Sequence, residues 1–170
     1  MAQGKKQRNK YRRRLEAKTD YHRRLRLLKS GLPRAVVRVS NTQITCQLTN
    51  YTKEGDQVVA SFTGRDLHAH GYPMDSSKKS VPACYLAGFG LGKKAVSGGI
   101  TEAILDIGLS AASSGSRVFS ALKGMVDAGL EIPHGEEILP SEERINGEHI
   151  SESLSKELDK TKKSIEGAFK

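Results

Sequence analysis

Apolar and polar residues alternate in three consecutive stretches of this chain. Over residues 34–40, RAVVRVS, Ala35, Val37 and Val39 share one face while Arg34, Val36, Arg38 and Ser40 share the other. Residues 44–51, ITCQLTNY, set Ile44, Cys46 and Leu48 against Thr45, Gln47 and Thr49, and residues 57–63, QVVASFT, put Val58, Ala60 and Phe62 together. A period of two belongs to a strand with one face buried. The turns Ser40-Asn41-Thr42-Gln43 and Lys53-Glu54-Gly55-Asp56 separate the three, so they predict an antiparallel meander with an apolar face and a polar face. The polar face carries Arg34, Arg38, Ser40, Thr45 and Gln47, with no carboxylate among them.

Other stretches repeat at the helical period. Tyr21, Leu25, Leu28 and Leu32 form one stripe, with Thr19 as N-cap, Asp20 at the helix start, and Gly31 and Pro33 as the stop. Ser80 caps a helix to Ser97 that carries Pro82 in its first turn and ends at Gly98-Gly99; Val81, Tyr85, Phe89 and Val96 share its stripe with Gly88 and Gly92. Residues 102–108, EAILDIG, predict a buried strand. A helix from about Ser116 to Ala128 follows, with the stripe Val118, Leu122, Met125 and Val126, and a short apolar piece, Leu130 to Ile132, completes the strand-helix alternation as a last strand before Pro133. From about Gly147 a charged helix carries the sparse stripe Ile150, Leu154, Leu158 and Ile165; it could pack back on the domain, touch a partner or fray. Residues 64–79 hold no strong period and predict a loop. Strands that alternate with helices after a meander make the class α/β, a mixed sheet with helices packed on it.

Charge changes this picture most. Residues 1–30 hold twelve Lys and Arg against Glu16 and Asp20, which leaves sixteen basic and seventeen acidic residues in the other 140. The net charge of +9 therefore belongs to one end. A cationic arm on a neutral body is the footprint of a polyanion binder, because each phosphate neutralised by Lys or Arg releases condensed counterions. Candidate contacts are Lys5, Lys6, Arg8, Lys10, Arg12, Arg13, Arg14, Lys18, Arg23, Arg24 and Arg26, then Arg34 and Arg38 on the polar face, with Tyr11 and Tyr21 available for stacking. The chain divides into a basic arm and helix (1–30), an α/β domain (31–134), and an acidic segment with a C-terminal helix (135–170). The arm lacks the Ser of a transit peptide, the apolar run of a signal peptide and the bulky residues of a membrane-surface helix. No stretch is long and apolar enough for a membrane span, so a soluble, cytoplasmic chain is expected.

Candidate chemistry narrows the picture further. Cys46 and Cys84 have no partners at metal spacing and are expected as small buried side chains; His68 and His70 lack a third ligand at fixed spacing. The GFGLGKK run at residues 88–94 fails both glycine-rich nucleotide patterns: Ala87 and Lys94 break the phosphate loop, and Lys93 breaks the dinucleotide fingerprint. No G-x-S-x-G elbow is present. Two-metal phosphoryl chemistry needs clustered carboxylates, and Asp106 stands alone among strand interiors. Neither a cofactor, a metal nor an enzymatic activity is predicted.

Several blocks, in order and spacing, carry a resemblance. They are Lys18-Thr19-Asp20-Tyr21 through Leu27-Leu28-Lys29-Ser30-Gly31, Val37-Arg38-Val39-Ser40-Asn41, Ala103-Ile104-Leu105-Asp106-Ile107-Gly108, Gly115-Ser116-Arg117-Val118-Phe119, Asp127-Ala128-Gly129-Leu130-Glu131-Ile132-Pro133-His134, and Glu142-Glu143-Arg144-Ile145 to Ile150. From Arg12 to Ile150 the chain resembles the 5S rRNA-binding family of the large ribosomal subunit, number eighteen in the universal naming, in its archaeal form. The resemblance implies a ribonuclease H-like sheet, 5S rRNA in the central protuberance as ligand, and contacts of the arm with large-subunit rRNA. It also implies a neighbouring 5S-binding ribosomal protein as partner. By position, Lys10 to Arg14, Lys18, Tyr21, Arg23, Arg24, Arg26, Arg34, Arg38, Ser40, Asn41 and Arg117 would meet RNA. No homo-oligomer is expected, and the alternative function is a general basic nucleic-acid binder or RNA chaperone.

Overall fold

The computed structural model describes residues 4 and 9–169. Its sheet has four strands, β1 (Arg34–Val39), β2 (Ile44–Thr52), β3 (Gly55–Thr63) and β4 (Ile104–Asp106), in the order β3-β2-β1-β4. β1 and β2 pair antiparallel, as do β2 and β3, while β4 runs parallel to β1. The mixed α/β class expected from the alternation is therefore present. The expected strand at residues 130–132 is not; a single parallel bridge from Glu102 to Glu131 stands in its place. Pro133 lacks an N–H for the ladder and stops the pairing there.

The apolar face of the meander is built from Ala35, Val37, Ile44, Cys46, Leu48, Ala60 and Phe62, all buried. Val58 does not join them. Leu48 pairs with Ala60 but Thr49 pairs with Val58, so Val59 is an extra residue in β3. One inserted residue turns the side chains before it to the other face, and Val58 is 52% exposed.

Two helices cover this face: α4 (Val81–Ser97) and α5 (Arg117–Asp127). The Ser80 hydroxyl caps α4 by accepting from the Ala83 amide at 3.4 Å. α4 is buried almost all round up to Gly92, because the sheet, α5 and the C-terminal helix each take a side; Val96, expected in its stripe, lies beyond them and is exposed. Its glycines divide between two neighbours rather than all facing the sheet. Gly90 lies on the Phe62 ring of β3, whereas Gly88 and Gly92 lie against the Ala121 and Met125 backbone of α5, and Gly124 of α5 lies against the Tyr85 carbonyl.

The short α3 (Asp66–Ala69) interrupts the expected loop, and α6 (Glu142–Asn146) inserts Ile145 into the core. α7 (Glu152–Ala168) packs back on the body. Leu154, Leu158 and Ile165 are buried as its stripe requires, and Thr161 fills the gap between them, its hydroxyl donating to the Glu157 carbonyl at 2.8 Å. Ile150 precedes the helix and is half exposed. A polar latch accompanies the apolar contact. Lys162 Nζ donates to the Tyr85 hydroxyl at 3.0 Å and sits 5.0 Å from the Phe89 ring centre, and the Tyr85 hydroxyl donates to Asp127 at 2.9 Å.

Cys46 and Cys84 are free, buried thiols, and burial pushes Cys84 up to about 12. His68 Nδ1 lies 3.0 Å from the Tyr72 carbonyl and the His70 ring stacks on Phe62. Among the described residues no group of three or more His, Cys, Asp or Glu is placed to hold a metal ion, and no helix is long and apolar enough to cross a membrane.

A Cβ on Gly88 or Gly124 would fall on the facing helix's backbone, which cannot swing aside as a side chain can. Gly88→Ala and Gly124→Ala should each destabilise the protein by about 1–3 kcal/mol through overpacking. Gly167→Ala, in a helix with open space around it, should be neutral or slightly stabilising. Urea unfolding followed by circular dichroism compares the three; equal midpoints would show that the helices can separate at no cost.

Candidate nucleic-acid interface

The polar sheet face is organised by carboxylates from its two outer strands. Arg34 points from β1 between Asp106 of β4 and Asp56 of β3, donating to Asp106 Oδ2 at 2.8 Å and to Asp56 Oδ2 at 2.6 Å. Arg38, four residues further along the same face, donates to Asp106 Oδ1 at 2.9 Å and to the Asp106 carbonyl at 2.6 Å. The Gly108 amide adds a third donor to Asp106, at 2.8 Å. Burial raises the Asp106 carboxyl, but the Arg38 charge and hydrogen bond, the Gly108 amide and Arg34 outweigh it, so the group is held below its ordinary 3.8. Asp56 is held low in the same way: partial burial is overcome by hydrogen bonds from Arg34 and Arg24.

Arg34 is thus not part of an open surface. It is 2% exposed and serves as the counter-charge that lets two carboxylates sit against the sheet. A planar guanidinium can bridge two carboxylates in this manner. The strand sequence shows Arg34 beside an apparently carboxylate-free face because its partners arrive from other strands.

Those carboxylates also hold the basic arm. α2 (Tyr21–Leu28) is capped by Asp20 rather than Thr19: the Asp20 carboxylate accepts from the His22 and Arg23 amides at 2.9 and 3.1 Å. The Arg23 amide is the main cause of that carboxyl being lowered. Arg24 donates to both Asp56 oxygens at 2.8 and 2.9 Å, and Arg23 Nη1 donates to the Gly108 carbonyl at 2.6 Å. The face turned inward is therefore Tyr21, Arg24, Leu27 and Leu28, and Leu25, expected in the docked stripe, is 55% exposed. Ion pairs rather than an apolar stripe set the helix's rotation.

Ahead of α2 the chain makes one helical turn, α1 (Arg12–Leu15), and reverses at Ala17, whose φ of 50° lies in the left-handed region. Arg13 Nε donates to Thr19 Oγ1 at 2.9 Å across this reversal, while Glu16 pairs with Arg12 and Lys18. Lys10, Tyr11, Arg12, Arg13, Arg14, Lys18 and Arg26 are all exposed. The Tyr11 and Tyr21 rings lie 5.0 Å apart. Arg13, Lys18, Arg23 and Arg38 converge on a cleft of about 100 Å³ between the arm and the sheet. Lys5, Lys6 and Arg8 lie outside the described residues.

The remaining candidates separate into two places. Arg38, with 45% of its side chain exposed, lies on the same sheet face as the half-buried Thr45 and Gln47 and near the exposed turn of Ser40 and Asn41. Arg117 opens α5, away from the arm, beside Arg144 and Lys79. Sequence reasoning missed the anchoring roles of Asp56, Asp106 and Gly108. Their one legible signal was the pairing of two arginines on one strand face with a solitary aspartate inside another strand.

A carboxyl lowered by folding stabilises the native state above its unfolded value, near 3.9, and that contribution is lost as pH falls through the lower native value. Asp106→Asn should therefore cost about 3 kcal/mol at neutral pH by leaving Arg34 and Arg38 short of a partner. The variant should also lose less further stability than the parent between pH 5 and 3. Urea titrations at a series of pH values check both; parallel losses in the two proteins would show that Asp106 does not carry the acid sensitivity.

A family model described as ribosomal large subunit proteins 60S L5, and 50S L18 matches residues 5–102 and 97–135. Relatives named large ribosomal subunit protein uL18 include one from Korarchaeum cryptofilum, 47% identical over 92% of this chain and 79% of that protein. A second, from Methanoculleus marisnigri, is 52% identical over 84% and 80%, and a third, from Halobacterium salinarum, is 47% identical over 89% and 82%. With matches that run through the arm, the sheet and both packed helices, the chain belongs to the family of ribosomal large subunit proteins that includes 60S L5 and 50S L18, a structural and not an enzymatic family.

Proposed function

We propose that this chain binds 5S rRNA and helps attach it to large-subunit rRNA in the central protuberance, next to another 5S-binding ribosomal protein. The observation that carries this reading is the anchoring of α2. Arg23 and Arg24 are spent on Gly108 and Asp56, which fixes the helix, while Arg12, Arg13 and Arg14 in α1 and Arg26 in α2 remain exposed. A fixed array of cations matches a folded RNA's phosphates at a lower ordering cost than a free tail does.

In this reading Lys10, Arg12, Arg13, Arg14, Lys18 and Arg26 meet phosphates, as do Lys5, Lys6 and Arg8. Arg38, Ser40, Asn41, Thr45 and Gln47 face the RNA from the sheet and respond to its shape and 2′-hydroxyls. Arg34 acts one step back, by holding Asp106 and Asp56 in place. Tyr11 offers its free ring face to an unstacked base.

The arm and the sheet make separable contributions. Replacing Arg12, Arg13 and Arg14 by Gln should weaken binding to any RNA and flatten its salt dependence by about 2–3 in log K against log salt, at about 0.7–0.9 per phosphate. Arg38→Gln should instead reduce the preference for 5S rRNA over an unrelated duplex RNA. Gel-shift titrations of both RNAs at several salt concentrations read the two effects. If the parent protein binds 5S rRNA no better than the unrelated duplex, the chain is a general basic binder and the proposal fails.

A further inference from the structure

A second cationic surface lies on the α/β body, away from the arm. Its residues come from four separate segments: Arg65 before α3, Lys78 and Lys79 before α4, Arg117 at the start of α5, and Arg144 in α6. The topology brings them together. β1 and β4 are parallel, so the turn after β1 and the loop from β4 into α5 leave the sheet at the same end. The segment before α4 reaches that end too, because the Ile44 amide at the start of β2 donates to the Lys78 carbonyl at 3.1 Å. In open α/β sheets this carboxyl end is where ligands collect.

Two adjoining depressions mark the surface, and they share Ser77 and Lys79. One, of about 330 Å³, is lined by Asn41, Gln43, Arg65 and Lys78 among others. The other, of about 420 Å³, is lined by Ser80, Ser116, Arg117, Arg144 and His149. Neither lining contains a carboxylate. Among the described residues, none of the five Arg and Lys head groups has an ion-pair or hydrogen-bond partner, in contrast to Arg23, Arg24, Arg34 and Arg38 near the arm.

Ser116 precedes α5, yet its hydroxyl caps no amide and is buried without a partner. Ser116 lines the second depression beside Arg117, and Arg144 Nη1 comes within 3.3 Å of a Cβ placed on Gly115. Unpaired guanidinium and ammonium groups with no carboxylate among them form a polyanion-binding surface, and their spread over two depressions fits a chain of phosphates better than a single small anion.

We propose that this surface is a second track for an RNA backbone, running from Asn41 across Lys78 and Lys79 to Arg117 and Arg144. It works independently of the arm. The proposal rests on the RNA-binding reading above, since it assigns a further stretch of the same RNA to the body. With both tracks occupied, the body is held at two places and the RNA cannot pivot about the arm.

The test uses the full-length protein and a 5S rRNA transcript. A body variant carries Lys78→Gln, Arg117→Gln and Arg144→Gln, and an arm variant carries Arg12→Gln, Arg13→Gln and Arg14→Gln. None of the three body side chains makes a hydrogen bond or ion pair within the described structure, so thermal unfolding should be unchanged. The body variant should bind at least about tenfold more weakly at physiological salt, with a salt slope smaller by about 2–3. Hydroxyl-radical footprinting should show it losing backbone protections different from those the arm variant loses. A body variant with parental affinity, slope and footprint, beside a weakened arm variant, overturns the second track and leaves the face to a protein partner. Loss of the same protections by both variants overturns its independence. If neither variant is weakened, the RNA-binding reading fails as well.

Discussion

The bridging of two carboxylates by Arg34 is the constraint on which the RNA-facing side of the molecule depends. Asp56 and Asp106 come from opposite sides of β1, and Arg34 is the one cation that touches both and the only buried one of their partners. With Arg34 in place, Asp106 has capacity left for Arg38 and the Gly108 amide, and Asp56 has capacity left for Arg24. One buried guanidinium thereby fixes the direction of a sheet arginine, the shape of the loop after β4, and the seat of α2. The network also explains why the inward face of α2 carries Arg24 among Tyr21, Leu27 and Leu28: the body offers it the oxygens of Asp56.

On the other side of the sheet the governing interaction is close backbone contact. Gly88 and Gly124 bring α4 and α5 together at a distance that no side chain would allow, and Gly90 admits the Phe62 ring from β3. Because the helices touch through their backbones, their relative position is set more rigidly than interdigitating side chains would set it. The surface that includes the N-termini of both helices inherits that rigidity. The two sides of the molecule thus reach a fixed geometry by different means, ion pairs for the arm and glycine contacts for the helix pair.

Much of this was legible in the chain. The alternation in residues 34–63 specified three strands and their buried face, since period two leaves little freedom when one side must be apolar. Ser80 and the glycine pair at 98–99 bracketed α4 correctly, because caps act locally. What escaped involved partners distant in sequence. Val58 was assigned to the core because a bulge depends on pairing with β2, and Arg34 was assigned to the surface because Asp106 lies 72 residues away. Leu25 was counted as docked since hydrophobicity suggested a stripe that ion pairs overruled. The strand expected at 130–132 shrank to one bridge because Pro133 cuts short its pairing, which a residue-by-residue reading could have anticipated. Nothing in the sequence pattern joined Lys79, Arg117 and Arg144, which only the topology makes neighbours.

α7 follows in sequence every element it packs against, which has a consequence for how the protein comes into being. Leu154, Leu158 and Ile165 cover a flank of α4 that the sheet and α5 leave open. During synthesis that flank must wait, uncovered, until the last seventeen-residue helix has emerged. The cationic arm, by contrast, emerges before the sheet carboxylates Asp56 and Asp106 that seat it. A newborn copy therefore spends its early life with an uncovered apolar flank and an unmoored polybasic segment, the exposure that makes incomplete chains prone to aggregate.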